Sequence, residues 1–84
     1  MNIPEILKEI HYEAHMSAER YGVFASSHEG YGVLAEEVAE LLEAVRANDG
    51  CAIYAESIQV ASVAARLAGA TFDPAFKRRS NLHE

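Results

Sequence analysis

Apolar residues recur at helical spacing along three stretches of the chain, and a turn signal closes each stretch. In the first, Ile3, Leu7, Ile10, Ala14 and Tyr21 keep to one side of a helix, with Ile6 widening the stripe. Asn2 stands where an N-cap belongs, and Pro4 falls in the first turn, where its missing N–H costs little. This predicts a helix running to about Arg20 and ended by Gly22. A loop from Val23 to Ser27 follows. Within it, Ser26 with Glu29 three residues on has the form of a capping box that opens a second helix. That helix runs to about Ala47, where Asn48-Asp49-Gly50 is a strong turn signal. The third spans roughly Cys51 to Ala68, with Gly69 as the expected C′ residue, and Asp73-Pro74 marks a further break.

No segment alternates with period two at comparable strength, so no sheet is expected. Short connections between consecutive helices favour antiparallel neighbours. The expected fold is all-α: an antiparallel helical bundle of three main helices forming one domain over residues 1–76, with a polar C-terminal tail at 77–84.

The second helix poses a question at Glu36–Val45, EEVAELLEAV, where four glutamates crowd beside core-type aliphatics. At about 100° per residue, Leu34, Val38, Leu41 and Val45 share one narrow arc, the expected core side. Glu36 and Glu43 lie nearly opposite and are solvated. Glu37 sits about 70° from the centre of that arc and Glu40 about 60° further round on the same side, so both carboxylates can face one groove beside the core. The third helix is apolar over most of its circumference, through Ile53, Ile58, Val60, Val63, Leu67 and several alanines. Glu56 falls inside an apolar sector of it, with Gln59 and Arg66 in the adjoining polar gap. An ionised carboxylate in that setting is costly without a cation or hydrogen-bond partner.

Composition limits what such a site can belong to. A chain of 84 residues buries only about 60 to 65% of the surface its unfolded form exposes, so a lone monomer is marginal and completion of the bundle by oligomerisation is expected. Thirteen acidic against seven basic residues give a net charge of −6, which disfavours nucleic acid and means that a phosphate-bearing ligand needs a cation as mediator. Cys51 is the single cysteine, which excludes an internal disulfide, and the first residues lack the basic-then-apolar pattern of a signal peptide. A cytoplasmic setting fits best. The longest uncharged run, Ser57 to Ala65, is far shorter than the roughly 20 residues of a membrane span.

Three carboxylates converging from two helices suit a hard cation such as Mg²⁺, which takes oxygen ligands and is often shared with substrate phosphates. A solvated helix flank is the plain alternative, because Glu-rich helices are common. At these residues the chain resembles a family. EEVAELLEA followed by AESIQVASVAARLAG looks like the MazG-like nucleotide pyrophosphohydrolases of the all-α NTP pyrophosphatase superfamily, whose hallmark is Glu-x-x-Glu on one helix and Glu-x-x-Asp on the next. Glu37 and Glu40 match the first element, and the second begins at Glu56 after a gap of fifteen residues. The preceding HEGYGVLAEE is also similar to short phage and bacterial members, and the resemblance covers roughly Ser26 to Gly69. It implies a homodimer or homotetramer that uses Mg²⁺, or Mn²⁺, to split a nucleoside triphosphate into a monophosphate and pyrophosphate. Glu37, Glu40 and Glu56 would be metal ligands, and one of them, or a water they orient, would begin in-line attack on phosphorus. Where the family pattern has aspartate this chain has Gln59, whose amide oxygen can ligate but brings no charge. That departure keeps open a non-catalytic interaction or nucleotide-sensing module, and beyond it a purely structural helical subunit.

The remaining candidates have ordinary readings. Arg66, two turns beyond Gln59 on the same face, can reach a phosphate or pair with a nearby glutamate. Lys77-Arg78-Arg79 can close over a nucleotide, or form part of a solvated tail. His11 and His15, one turn apart, have transition-metal spacing but read as exposed. His28 reads as a surface or capping residue, and Cys51, at a helix start without a catalytic partner nearby in sequence, reads as structural.

Overall fold

The computed structural model describes residues 1–76 and contains three helices, α1 (Ile3–Tyr21), α2 (Ser27–Ala47) and α3 (Gly50–Ala70), with no strand among the described residues. The tail at 77–84, with Lys77-Arg78-Arg79, lies outside the described residues.

Local hydrogen bonding sets most of the helix ends. At α1 a full capping box forms: Asn2 Oδ1 accepts from the Glu5 amide and Glu5 Oε1 accepts from the Asn2 amide, each at 2.9 Å. A cap of this kind contributes about 1 kcal/mol. The helix ends at Gly22, whose φ of 76° favours glycine. At α2, Ser26 Oγ accepts from the Glu29 amide at 3.2 Å, while the Glu29 carboxylate accepts from the Ala25 amide at 2.6 Å. The expected box therefore closes one residue early, on the residue before the cap.

The third helix is longer than its composition indicated. Asp49 Oδ1 accepts from the Ala52 amide at 3.1 Å and starts the helix at Gly50. At the other end Gly69 is an ordinary helical residue rather than a C′ glycine, because Thr71 stays right-handed and its hydroxyl donates to the Ala68 carbonyl at 2.8 Å. Two further turn bonds, from the Asp73 amide to Ala70 O and from the Phe76 amide to Asp73 O, bring Phe76 back to be buried. The core is thus concentrated at one end, where Phe24, Val63, Ala70 and Phe76 pack with Val33, Leu34 and Leu67.

Helix α3 is the centre of the architecture. It packs against both α1 and α2, which do not pack against each other. On the α1 side the fully buried Ser62 donates to Ile58 O at 2.7 Å and lies 3.5 Å from Ile10 O. On the α2 side Gly30 lies against Leu67 and Phe24, and Glu37 approaches Glu56.

This contact line corrects the expected core side of α2. Gly30 and Ala44 are buried and Leu34 and Leu41 half-buried, whereas Val38 and Val45 are 47% and 51% exposed. The inward face runs through Gly30, Glu37 and Ala44, about 70° round from the centre of the aliphatic arc. Small residues explain the rotation, since an absent or short side chain at Gly30 and Ala44 lets α3 come close, and that closeness outweighs burying two more valines. Gly30→Val tests the point. Even the first carbon of a side chain at this position would overlap Leu67 Cδ1 and lie 3.2 Å from Phe24 Cδ2. Overpacking of this kind costs about 1–3 kcal/mol, so the urea midpoint is expected to fall, and an unchanged midpoint would show that α3 is not held at this distance.

Candidate metal centre

Glu37 stands on the inward line of α2, Glu40 one turn further on, and Glu56 two turns into α3. One carboxylate oxygen of each lies within 4.8 Å of the other two. Glu37 and Glu56 are half-buried and Glu40 is exposed, so the cluster opens to solvent on one side. Glu37 is held at the middle of the cluster because the α2–α3 contact passes through it, not because it sits on a flank.

The electrostatics of the cluster are strained without a cation. The Glu37 carboxyl is raised from 4.5 to about 7, first by burial, then by the hydrogen-bonding approach of Glu56 and the charges of Glu40 and Glu56, and last by a hydrogen-bonding approach of Glu40. Glu56 Oε1 is buried without a hydrogen-bond partner. A buried acceptor left unmet costs about 1–3 kcal/mol, and like charges this close favour keeping a proton in the cluster. A divalent cation would relieve both conditions, since it supplies a partner for the orphaned oxygen and replaces the proton. The donor set, all carboxylate oxygen, suits Mg²⁺ or Mn²⁺.

A pocket of about 430 Å³ adjoins the cluster at Glu37. It occupies the groove between α1 and α2, with α3 as its floor. Gln59 and Arg66 rise from that floor, so both residues expected from sequence share the pocket with Glu37. The Arg66 guanidinium lies 4.4 Å from the centre of the Phe24 ring, and both residues line the pocket.

Two charged residues on the opposite wall were not singled out in the sequence. Glu13 and Arg20 of α1 line the same pocket, and Glu13 Oε2 accepts from Ser17 Oγ at 3.4 Å. A signal for Glu13 existed: it lies beside Ile6, about 20° away on the helix, at the edge of the apolar stripe of α1, where a carboxylate is out of place. The other candidates stay apart from the cluster. His11 and His15 stack with ring centres 6.4 Å apart on the exposed surface of α1, and His28 and Cys51 are exposed. No family model, curated protein or solved structure matches the chain. The resemblance to the MazG-like enzymes therefore rests on motif, spacing and helix context alone.

Proposed function

We propose that this chain is a divalent-cation-dependent hydrolase that splits nucleoside triphosphates into a monophosphate and pyrophosphate. The observation that carries the reading is the convergence of Glu37, Glu40 and Glu56 from two helices, with one oxygen of Glu56 buried and unmet. Those three carboxylates would hold Mg²⁺ or Mn²⁺, and the Gln59 amide oxygen is a candidate fourth ligand. When bound, the cation supplies charge neutralisation at phosphoryl oxygens and lowers the pKa of water.

The remaining steps fall to the protein. Arg66, oriented by Phe24, offers its guanidinium to a phosphate in the pocket. Without a cation the Glu37 carboxyl titrates near 7, and a bound cation would replace that proton and hold the carboxylate ionised at neutral pH. The pocket's volume of about 430 Å³ is within the usual range for a small-ligand site.

Pyrophosphate release from a panel of ribo- and deoxynucleoside triphosphates, with Mg²⁺ and with Mn²⁺, tests the reading. Turnover of at least one nucleotide, dependent on the cation, is the expected result. A second reading, a nucleotide-sensing module without turnover, draws on Gln59, which places a neutral amide where the family pattern has a carboxylate. Thermal denaturation separates the cases, since a cation that binds only the folded state raises the midpoint by about 2.7 kcal/mol of stability at a hundred times its Kd. A raised midpoint without turnover would favour the sensor. An unchanged midpoint would remove the metal centre altogether and leave a structural helical subunit.

A further inference from the structure

Of the seven lysines and arginines in the chain, three lie at 77–79, outside the described residues, and two of the other four, Arg20 and Arg66, line the same pocket. They come from different helices. Helices α1 and α3 run in step, with Tyr54 Oη donating to Met1 Sδ at one end and Ser62 Oγ beside Ile10 O further along. At the other end Ala18 shares a small cleft with Gly69 and Ala70. Arg20, in the last turn of α1, and Arg66, near the end of α3, therefore stand toward one end of the groove. Glu37 and Gln59 stand toward the other, since Gln59 and Arg66 are about 10 Å apart along the axis of α3.

Each guanidinium leans on an aromatic ring that lines this pocket. Arg20 Cζ lies 5.8 Å from the centre of the Tyr21 ring, and Arg66 Cζ lies 4.4 Å from that of Phe24. A ring engages the face of a guanidinium and leaves its planar edge of N–H donors unspent. Among the described residues neither guanidinium is ion-paired with a carboxylate, in a chain that has thirteen acidic residues. The helix dipole alone accounts for a cation in the last turn of α1. It does not account for a second guanidinium, from another helix, in the same cavity of about 430 Å³.

We propose that Arg20 and Arg66 form one subsite for a phosphate chain, taking the two terminal phosphates of a triphosphate while the acidic cluster at the far end of the groove takes the cation. The inference rests on the proposed hydrolase reading for the nucleotide, and adds to it Arg20 and a selection by phosphate-chain length. A lone phosphate is met by one fork of donors and a chain of phosphates by both, so affinity rises with the number of phosphates. The carboxylates repel an anion at their own end, which fixes the direction in which the ligand lies.

Calorimetric titration of the full chain with inorganic tripolyphosphate and with orthophosphate, at low salt and without a divalent cation, tests the subsite by itself. Tripolyphosphate is expected to bind at least about tenfold more tightly than orthophosphate. Arg20→Gln should remove at least about tenfold of that affinity, and Arg20→Lys should recover only part of it, because an ammonium lacks the fork. Arg46→Gln removes the same charge from the last turn of α2, away from the pocket, and should change little. With Mg²⁺ and a nucleoside triphosphate, Arg20→Gln should raise KM and leave the Mg²⁺-induced rise in the melting midpoint as it is in the natural protein. Equal affinity for the two anions overturns the subsite. So does an equal loss in Arg20→Gln and Arg46→Gln, which would reduce the effect to net charge. A midpoint that Mg²⁺ does not move, with tripolyphosphate still bound through Arg20, removes the hydrolase reading and leaves the subsite supported.

Discussion

Glu37→Gln is expected to stabilise the metal-free protein above about pH 8 and to abolish its response to Mg²⁺. In the unfolded chain this carboxyl titrates near 4.5, and in the fold near 7. The fold therefore holds the proton more tightly. The stabilisation that protonation provides is full below about 4.5 and is lost as the pH rises through about 7. Above that range an ionised Glu37 faces Glu40 and Glu56 inside the α2–α3 contact. Glutamine keeps the shape and removes the charge. Because the group is partly exposed, the gain is about 1 kcal/mol once solvent screening is allowed for, which is about 4–8 °C in the melting midpoint of a domain this size. Below about pH 4 the difference between variant and natural protein should largely vanish, since Glu37 is then protonated in both the folded and the unfolded chain.

With Mg²⁺ present the order is expected to reverse. On the proposed reading the natural protein should gain the binding free energy and the variant should not, and cation-dependent turnover should fall by about a hundredfold or more. A melting series against pH, with and without the cation, checks both halves. A variant that is less stable than the natural protein at about pH 8 without metal would show that Glu37 is not under electrostatic strain.

The second large effect concerns Phe24. Its ring is 5% exposed, packs with Val63, Ala70 and Phe76, and supports Arg66 from below. Truncating a buried phenylalanine to alanine costs about 3–5 kcal/mol. An 84-residue chain has a total stability of about 4–13 kcal/mol at ordinary values per residue. Phe24→Ala should therefore lose a large share of the stability, with a urea midpoint well below that of the natural protein, and Phe24→Leu should recover most of it while leaving Arg66 without its ring. Urea denaturation followed by circular dichroism distinguishes them. Equal midpoints for the alanine variant and the natural protein would place the core elsewhere.

The elements legible from the chain were those written in local chemistry. Asn2, Ser26 and Asn48-Asp49-Gly50 act within a few residues of themselves, so the helix starts and the second turn could be read one position at a time. The acidic triad was legible because three-residue spacing places Glu37 and Glu40 on adjoining faces, and Glu56 is conspicuous on an apolar helix. What could not be read was the rotation of α2 about its own axis. A hydrophobic wheel weighs Val38 and Val45 as core, but the deciding quantity is how near the partner helix comes, and that depends on Gly30 and Ala44, which a wheel barely registers. For the same reason Glu13 stayed hidden: its place in the pocket follows from the separation of α1 and α2, which is tertiary. The end of α3 was misjudged because Gly69 has the composition of a stop, while the chain's direction there is set by the burial of Phe76.

Because α1 rests on α3 alone and contains no fully buried residue, the molecule divides into parts of unequal cooperativity. The pair α2–α3 holds the acidic cluster and most of the core, whereas α1 is the element with the lowest free energy of local opening. Its wall of the pocket, with Glu13 and Arg20, can swing out and return without disturbing the three carboxylates. The pocket wall and the acidic cluster are thereby mounted on separately supported frames, so changes in the sequence of α1 alter the shape of the groove while the cluster behind it stays in place.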